Sequence, residues 1–378
     1  MLLEEIGDAE RSFEAYGRIL EREAGHEEAR QQLRRIADGA DLWSRLAELY
    51  EAVSDEIDEE ELQRWYLFQL GEIYAIRLQE PTMAEGYYKE ILEASPEDEE
   101  ALDDLQDLYA RTERWRDLLD VFDQKIELAD EEAALDLRFR MAILWDQLLE
   151  QPHEAIEVLR AIREEDPENL RAIRAMNRIF EENEHWNELA DMVEAELELV
   201  DEQEMNGVKK RLAGITHQRL DDQERAVDLY EEVLDEQPED AEALGAMEEL
   251  MEHPAAPSDR ISCIVEPLFE QRGAWEKLVW ALEVQIEESN EPDERVELFH
   301  RIARLQDEEQ GDERGAFETL ARALEDDVED AHTIGELYRL AEVLDDWQAL
   351  VDVFEMEAEE EPDPDVRREL LRRASTIY

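Results

Sequence analysis

Residues 65–96 read WYLFQLGEIYAIRLQEPTMAEGYYKEILEASP, and this stretch decides the fold. Apolar residues recur three and four positions apart from Trp65 to Tyr74. A second apolar stripe with the same spacing starts at Ala84 and is closed by Pro96. This spacing places apolar side chains on one face of an α-helix, and proline ends a helix because it lacks an amide hydrogen. The stretch therefore predicts two amphipathic helices joined by a short turn.

The same arrangement returns along the chain with a period of about 72 residues, which is the signature of a repeat architecture. Three residue types keep this period independently: Trp43, Trp115, Trp186, Trp275 and Trp347; Ala84, Ala155, Ala226 and Ala316; Pro96, Pro167 and Pro238. Two further helical stripes complete each period, one before the tryptophan and one that begins with it. Each period therefore holds four helices, or two hairpins of about 36 residues each.

One hairpin of each pair resembles the tetratricopeptide repeat family. The residues that carry this resemblance in the first copy are Leu70-Gly71, Tyr74, Ala84, Tyr88 and Pro96. The turn around residues 79–81 is one residue longer than in that family. The resemblance covers essentially all 378 residues. It implies an all-α fold, a right-handed α-solenoid superhelix of stacked antiparallel helical hairpins, with about 21 helices. In such hairpins small residues let two helices approach closely.

The intervening hairpins depart from the family pattern, since each carries a tryptophan near the start of its second helix. We expect these indoles to fill gaps in the core, as large aromatic side chains at fixed repeat positions usually do. Residues 1–378 are predicted to form one continuous array. The interval from Trp186 to Trp275 exceeds the others by about 18 residues, so we predict an extra helix at 239–252 and a break at 253–257. Pro267 is expected to kink the helix that follows.

The two ends of the sequence resemble incomplete hairpins. Residues 1–6 look like the last turns of one helix, with a second helix starting at Asp8, and residues 369–378 stop before their partner helix. Half a hairpin leaves an apolar face uncovered, and terminal repeats normally carry a polar capping helix. The sequence therefore predicts that further repeats of the same chain, or another copy, lie against these ends.

The charge balance is strongly acidic, with 108 Asp and Glu against 39 Lys and Arg and a formal net charge of −69. Such a field argues against nucleic acid and anionic membranes as partners, because both require a positive patch. It favours a basic or amphipathic partner. Alternatively, the acidic residues coat exposed helix faces for solubility or for a salty environment. Five Lys against 34 Arg fit salt adaptation or a GC-rich, bacterial genome.

The sequence shows no pattern typical of an enzyme, a cofactor or a metal. The seven histidines are scattered, no glycine-rich phosphate loop is present, and acidic pairs are common by chance at this composition. The single Cys263, beside Ile261 and Ile264, is expected to be a buried apolar residue. There is no apolar run long enough to span a membrane and no signal peptide at the start, so we expect a cytoplasmic protein as the sequence stands.

In the tetratricopeptide family the first helix of each hairpin lines a concave binding groove. The corresponding positions here are expected to contact a partner: Phe68, Glu72, Asp103, Asp107, Phe139, Arg174, Arg178 and Lys210. Ile143, His300 and Arg304 lie at similar positions. These residues predict a groove that is acidic and aromatic early in the chain and modestly basic in its middle, so a clamp for a peptide carboxylate is not expected.

Three functions are compatible with these features. The preferred one is a non-catalytic scaffold that binds a partner protein or peptide on its concave face. The chain is alternatively a regulatory or spacer arm of a larger bacterial enzyme or envelope protein. A weaker alternative is an acidic chaperone or decoy for basic proteins. The fold does not separate them, because the same fold serves many functions.

Overall fold

The computed structural model describes residues 2–377, with side chains described for residues 9–377, and every regular element within that part of the chain is a helix. The predicted all-α repeat array with about 21 helices is confirmed. The chain divides into two compact units, Met1–Asn183 and Glu184–Tyr378. That all 378 residues form one continuous array stays a prediction.

The first unit contains ten helices. They are α1 (Leu2–Leu20), α2 (Glu27–Ala40), α3 (Trp43–Ser54), α4 (Glu60–Glu72), α5 (Pro81–Ala94), α6 (Glu99–Arg111), α7 (Trp115–Leu128), α8 (Glu131–Ile143), α9 (Pro152–Glu165) and α10 (Leu170–Glu182). Their apolar faces form cores inside and between successive hairpins.

The second unit contains eleven helices. They are α11 (Trp186–Leu197), α12 (Glu202–Arg219), α13 (Gln223–Glu236), α14 (Ala241–Met251), α15 (Ser258–Arg272), α16 (Trp275–Glu288), α17 (Pro292–Arg304), α18 (Glu313–Asp326), α19 (Ala331–Leu344), α20 (Trp347–Glu360) and α21 (Pro364–Ile377). Their apolar faces likewise form continuous cores between neighbouring helices.

Each repeated tryptophan is the first residue of a helix, and the turn before it has a fixed geometry. The residue two positions earlier adopts a left-handed backbone conformation, at Asp41, Glu113, Glu184, Gly273 and Asp345. At the second of these turns the Arg114 amide donates to the Tyr109 carbonyl at 3.0 Å. This bond closes a Schellman-type helix end. Only one of the five turns uses glycine, so the other four hold an L-residue in a conformation that costs free energy.

The hairpins that resemble the tetratricopeptide repeat have one extra residue in their turn. In three of them the extra residue is accommodated by a π-helical segment at the end of the first helix. The π-helical segments are Ile73–Leu78, Leu144–Leu148 and Leu305–Gln310. After them, the Glu80 amide donates to the Tyr74 carbonyl six residues earlier, at 2.9 Å. Equivalent bonds occur in the three later copies, at Gln151, Asp222 and Asp312. One inserted residue widens the last helical turn, which is how a π-bulge arises.

The small residues act as the resemblance implies. Ala84 on α5 is fully buried, and a Cβ atom added to Gly71 on α4 would lie 2.4 Å from Cε1 of Tyr88 on α5. Because ordinary carbon contacts are about 3.5 to 4.0 Å, the hairpin of α4 and α5 closes only around a residue without a side chain.

The long interval before Trp275 contains α14 and α15, with a turn at residues 252–257. Helix α14 begins as the earlier pre-tryptophan helix α6 does, since Asp240 caps it as Asp98 caps α6. Helix α15 ends as α6 ends, at a left-handed residue two positions before a tryptophan. The two helices together thus replace one, with α14 keeping the earlier register and α15 starting the later one. Helix α15 continues past Pro267 to Arg272.

Two local predictions were wrong. Helix α1 runs without a break from Leu2 to Leu20, so no helix junction occurs near Asp8; Met1 lies outside the described residues. Cys263 is exposed. Its helix buries Ile261, Ser262, Val265 and Phe269, and residue 263 points away from that face because successive residues are about 100° apart around a helix.

The predicted packing role of the tryptophans varies between copies. Trp43 is buried, whereas Trp115 and Trp275 are half-buried against the cores of their units. Trp347 has 37% of its surface exposed. Arginine side chains cover two of the rings, Arg77 over Trp43 at 4.5 Å and Arg219 over Trp186 at 4.6 Å.

Among the helices described, none combines the length and the apolar character needed to cross a bilayer.

Candidate functional site

A groove of about 440 Å³ runs between the first helices of two adjacent hairpins, α6 and α8, and we name it the first-helix groove. Its lining residues are Glu99, Leu102, Asp103, Lys125, Leu128, Ala129, Asp130, Ala133, Asp136, Leu137 and Arg140. On both helices they recur at helical spacing of three and four, so each helix presents one face to the groove. The buried Leu102 and Leu137 form the floor, and the charged residues form the rim.

The rim of the first-helix groove is partly neutralised. Lys125 Nζ lies 2.5 Å from an Asp103 oxygen and 2.8 Å from Gln106 Oε1. Asp130 accepts the amide hydrogen of Ala133 at 2.9 Å, which caps the start of α8. Four carboxylates and two cations line the groove, so it is acidic around an apolar floor.

A second groove, of about 620 Å³, separates α5 from α7, the second helices of two adjacent hairpins; we name it the second-helix groove. Its lining residues are Lys89, Leu92, Glu93, Pro96, Glu97, Leu105, Tyr109, Asp117, Asp120, Val121, Gln124, Glu127 and Leu128. Leu105 and Tyr109 come from α6, which lies beneath both grooves.

A buried carboxylate beside the second-helix groove joins its three helices. Glu85 of α5 accepts hydrogen bonds from Lys89 at 2.6 Å, from Tyr109 at 2.9 Å and from Arg114. Burial raises the pKa of Glu85, but the bonds from Arg114, Lys89 and Tyr109 outweigh it and lower the pKa to about 2. Both cations nearest this groove, Lys89 and Arg114, therefore bond Glu85.

The structure places two predicted contact residues inside the protein. Phe68 and Phe139 are buried, and neither lines the first-helix groove or the second-helix groove. The guanidinium of Arg64 lies 4.4 Å from the centre of the Phe68 ring, and that of Arg171 lies 3.9 Å from the centre of the Phe139 ring. Arg64 belongs to the same helix as Phe68, whereas Arg171 belongs to the hairpin that follows Phe139. Partner contact at these two buried rings stays a prediction.

Most of the predicted charged contact residues form ion pairs within their own unit. Glu72 pairs with Arg34, Arg178 lies 2.6 Å from Asp146, and Lys210 lies 2.9 Å from Asp240. These pairs join one hairpin to the next. The basic character expected in the middle of the chain is therefore offset locally by carboxylates.

The remaining predicted contact residues lie at separate places. Asp103 lines the first-helix groove, and Asp107 is exposed one turn further along α6. Arg174 lies on α10 and is engaged in contacts of its own. Ile143 is exposed at the end of α8. Sequence reasoning missed Leu128, which is 38% exposed and lines both grooves; its position outside the buried stripe of α7 is the signal that could have identified it.

The second unit contains a smaller cavity of about 170 Å³ at His300 and Arg304. His300 Nε2 lies 2.7 Å from Thr333 Oγ1, and its ring centre lies 4.6 Å from that of His332. Burial and the neighbouring His332 lower the pKa of His300, which favours the neutral form of its ring. Arg339 at the cavity wall is held by Asp307 at 2.5 Å and by Glu336.

In the part of the chain whose side chains are described, no group of three or more His, Cys, Asp or Glu is arranged to hold a metal ion.

Comparison with known proteins gives distant structural likenesses. No protein-family model and no curated protein matches the chain. It is similar to the structure of Naa15/Naa10 bound to HypK-THB, with 14% identity and a TM-score of 0.41. It is also similar to YrrB, a TPR protein with an unusual peptide-binding site (18%, 0.30), and to the TPR2AB domain of yeast Sti1 in complex with pHSP90 (14%, 0.28).

These likenesses differ in extent. They cover 98%, 53% and 65% of this chain, and 63%, 99% and 99% of the respective structures. The chain thus spans about 63% of the length of the chain it matches in the first structure. All three TM-scores are below 0.5, so the tetratricopeptide-like architecture rests on the helix order and the repeated turns of the chain itself.

Proposed function

We propose that this array of tetratricopeptide-like hairpins is a non-catalytic scaffold that binds a segment of a partner protein in its first-helix groove. The observation that supports this most is the groove between α6 and α8, which is open and acidic at the rim and apolar at the floor. The partner is a protein or peptide with basic and apolar residues.

The lining of the first-helix groove suits an adaptable polypeptide ligand. Leu102 and Leu137 offer an apolar floor, and Ala133 keeps the groove open because its side chain is short. Asp136 and Glu99 at the rim carry charge complementary to lysine or arginine side chains. Complementary charges increase the rate and the specificity of association more than the affinity, and the apolar floor supplies most of the binding free energy.

Filling the groove tests this function. Ala133 is exposed on α8, so Ala133→Trp occupies the groove without disturbing the core. Ala110→Trp is the matched control, because Ala110 is exposed on α6 and lines neither groove. The immobilised protein is used to capture proteins from cells of its source, and the captured proteins are compared by mass spectrometry.

The expected result is a protein that is captured by the wild type and by Ala110→Trp but is lost with Ala133→Trp. A photo-crosslinking amino acid at Asp103 should then form a covalent adduct with the same protein. A partner that is captured equally by all three chains, and that forms no adduct from residue 103, would show that the first-helix groove is not its binding site.

A further inference from the structure

We propose that the second-helix groove is a separate binding site for a cationic amphipathic helix of a partner protein. This site lies on the second helices α5 and α7, away from the first-helix positions at which the sequence predicts partner contacts. The occupant is identified by charge complementarity and by the shape of the groove.

The groove has the form that accepts a helix. On α7 its lining residues are spaced by three and four along the whole helix: Asp117, Asp120, Val121, Gln124, Glu127 and Leu128. On α5 the facing residues Lys89, Leu92 and Glu93 keep the same spacing. Asp117 to Leu128 are twelve residues, so the eleven rises between them cover about 16 Å at 1.5 Å per residue. A partner helix of about three turns matches that length.

The floor of the groove supplies apolar contact. Leu105, Tyr109 and Val121 lie at its bottom and are almost fully buried, whereas Leu92 is half-buried and Leu128 is 38% exposed. Exposed apolar area beside a groove marks an interaction surface more often than an isolated apolar side chain does. An amphipathic helix buries an apolar face of this kind by presenting residues at positions i, i+3, i+4 and i+7.

The negative charge of the groove is largely uncompensated. Asp117 is bonded to Arg114 at 2.7 Å, and Lys89 is bonded to Glu85. The carboxylates of Glu93, Glu97, Asp120 and Glu127 have no ion-pair partner among the residues whose side chains the structure describes. These four carboxylates carry the charge that selects a cationic ligand.

A neighbouring residue reports the same excess of negative charge. The pKa of Asp123, on the same helix, is raised by partial burial and by the charges of Asp120 and Glu127. The part of this rise that comes from Asp120 and Glu127 is a repulsion that a bound ammonium or guanidinium group would also offset. Such groups on one face of a helix would lie against the rim while its apolar face rests on the floor.

The test uses a synthetic 14-residue peptide with leucines on one helical face and lysines on the other, carrying a fluorescent label. A scrambled peptide of the same composition has the same charge but no apolar face. Binding to the full chain is followed by fluorescence anisotropy at about 0.15 M salt, where charges more than about 8 Å apart are largely screened. We expect the amphipathic peptide to bind at least 10-fold more tightly than the scrambled one.

A groove variant and a matched control separate the groove from the general charge of the protein. The groove variant replaces Glu93, Glu97, Asp120 and Glu127 by Gln or Asn. The control replaces Glu287, Glu288, Glu355 and Glu359 by Gln; these four are exposed, lie in the other unit and change the net charge equally. Circular dichroism checks that both variants remain helical.

Each lost ion pair between a groove carboxylate and a peptide lysine is expected to weaken binding by a factor of about two to three. The four substitutions together should therefore weaken binding by about 16- to 80-fold. The control should change binding by less than about twofold. Equal losses in both variants, equal binding of the two peptides, or no binding of either peptide by the wild type would each overturn the proposal. The Ala133→Trp variant should bind this peptide normally, since Ala133 does not line the second-helix groove.

Discussion

Replacement of Gly71 by alanine tests whether the hairpin of α4 and α5 is closed around a missing side chain. The new methyl group would lie 2.4 Å from Cε1 and 2.6 Å from Cζ of Tyr88, whose ring is buried. The ring would have to retreat by about 1 Å to reach an ordinary contact distance. Overpacking of a core costs about 1 to 3 kcal/mol, and a clash with a ring that has little room lies at the upper end. Alanine returns about 1 kcal/mol through its better helix propensity. We therefore expect Gly71→Ala to lower the free energy of unfolding by about 2 kcal/mol.

Urea unfolding followed by circular dichroism measures that loss, and hydrogen exchange of peptides from α4 and α5 shows where it occurs. Gly86→Ala is the matched control on the same hairpin, because a Cβ atom there meets no atom within 4 Å. It should stabilise the protein by about 1 kcal/mol. If Gly71→Ala is as stable as Gly86→Ala, the close approach of the two helices does not depend on residue 71.

A second substitution, at Tyr88, tests whether the loss comes from the contact between residues 71 and 88. One period later, Ala142 and Leu159 stand where Gly71 and Tyr88 stand, and both are buried. The smaller Leu there leaves room for a methyl group. Gly71→Ala should therefore cost less in a Tyr88→Leu background than in the wild type, with a coupling free energy of about 1 to 2 kcal/mol in a double-mutant cycle. Additive effects would refute the proposed clash.

Three other substitutions follow from the structure. Glu113→Gly should stabilise by about 1 kcal/mol in urea unfolding, because residue 113 has φ = 56° and glycine adopts that conformation without strain. Arg64→Lys should destabilise by about 0.5 to 1 kcal/mol, because lysine cannot stack on a ring and bond two carboxylates together as Arg64 does; Arg116→Lys is the neutral control. Burial and three nearby glutamates raise the pKa of Glu357 to about 7. The stability that comes from protonated Glu357 is therefore fully present below pH 4.5 and is lost as the pH rises through 7. Glu357→Gln should therefore stabilise by about 2 kcal/mol at pH 8 and leave stability unchanged at pH 4.5, whereas the exposed Glu355→Gln should change stability at neither pH.

The helix pattern was predictable because equivalent positions of successive repeats carry residues with the same structural role. The tryptophan begins a helix in every copy, and proline or a capping residue marks the neighbouring boundary, as at Pro96 and Asp98. The close approach at Gly71 was predictable from the glycine and the facing aromatic residue. The extra residue near 79–81 was visible in the sequence, but its placement in a π-helical turn was not, because spacing counts residues without telling which turn of the backbone widens.

The binding surface was less predictable, since periodicity gives the faces of a helix but not which neighbour covers each face. Phe68 lies on the expected helix but is covered by Arg64. Cys263 stands between apolar residues in the sequence yet projects from the opposite side of its helix. Leu128 becomes part of two grooves only because α5 and α8 approach it from different hairpins. Such contacts depend on the packing of hairpins, which no local pattern contains.

The positions of the charged residues are more informative about a partner than the net charge of the protein. The positive charge is carried almost entirely by arginine, which can pair with a carboxylate and cover an aromatic ring at once, as Arg114 does with Glu85 and Tyr109. Other arginines among the 39 cations do the same, such as Arg64, Arg77 and Arg295. Many of the remaining carboxylates are exposed. Net charge alone does not place a partner, because exposed glutamates occur along the described residues of both units. A cationic helix gains free energy from charge and from apolar burial together only where carboxylates border an apolar floor. The second-helix groove meets that condition, because Glu93, Glu97, Asp120 and Glu127 border Leu92, Leu105 and Leu128.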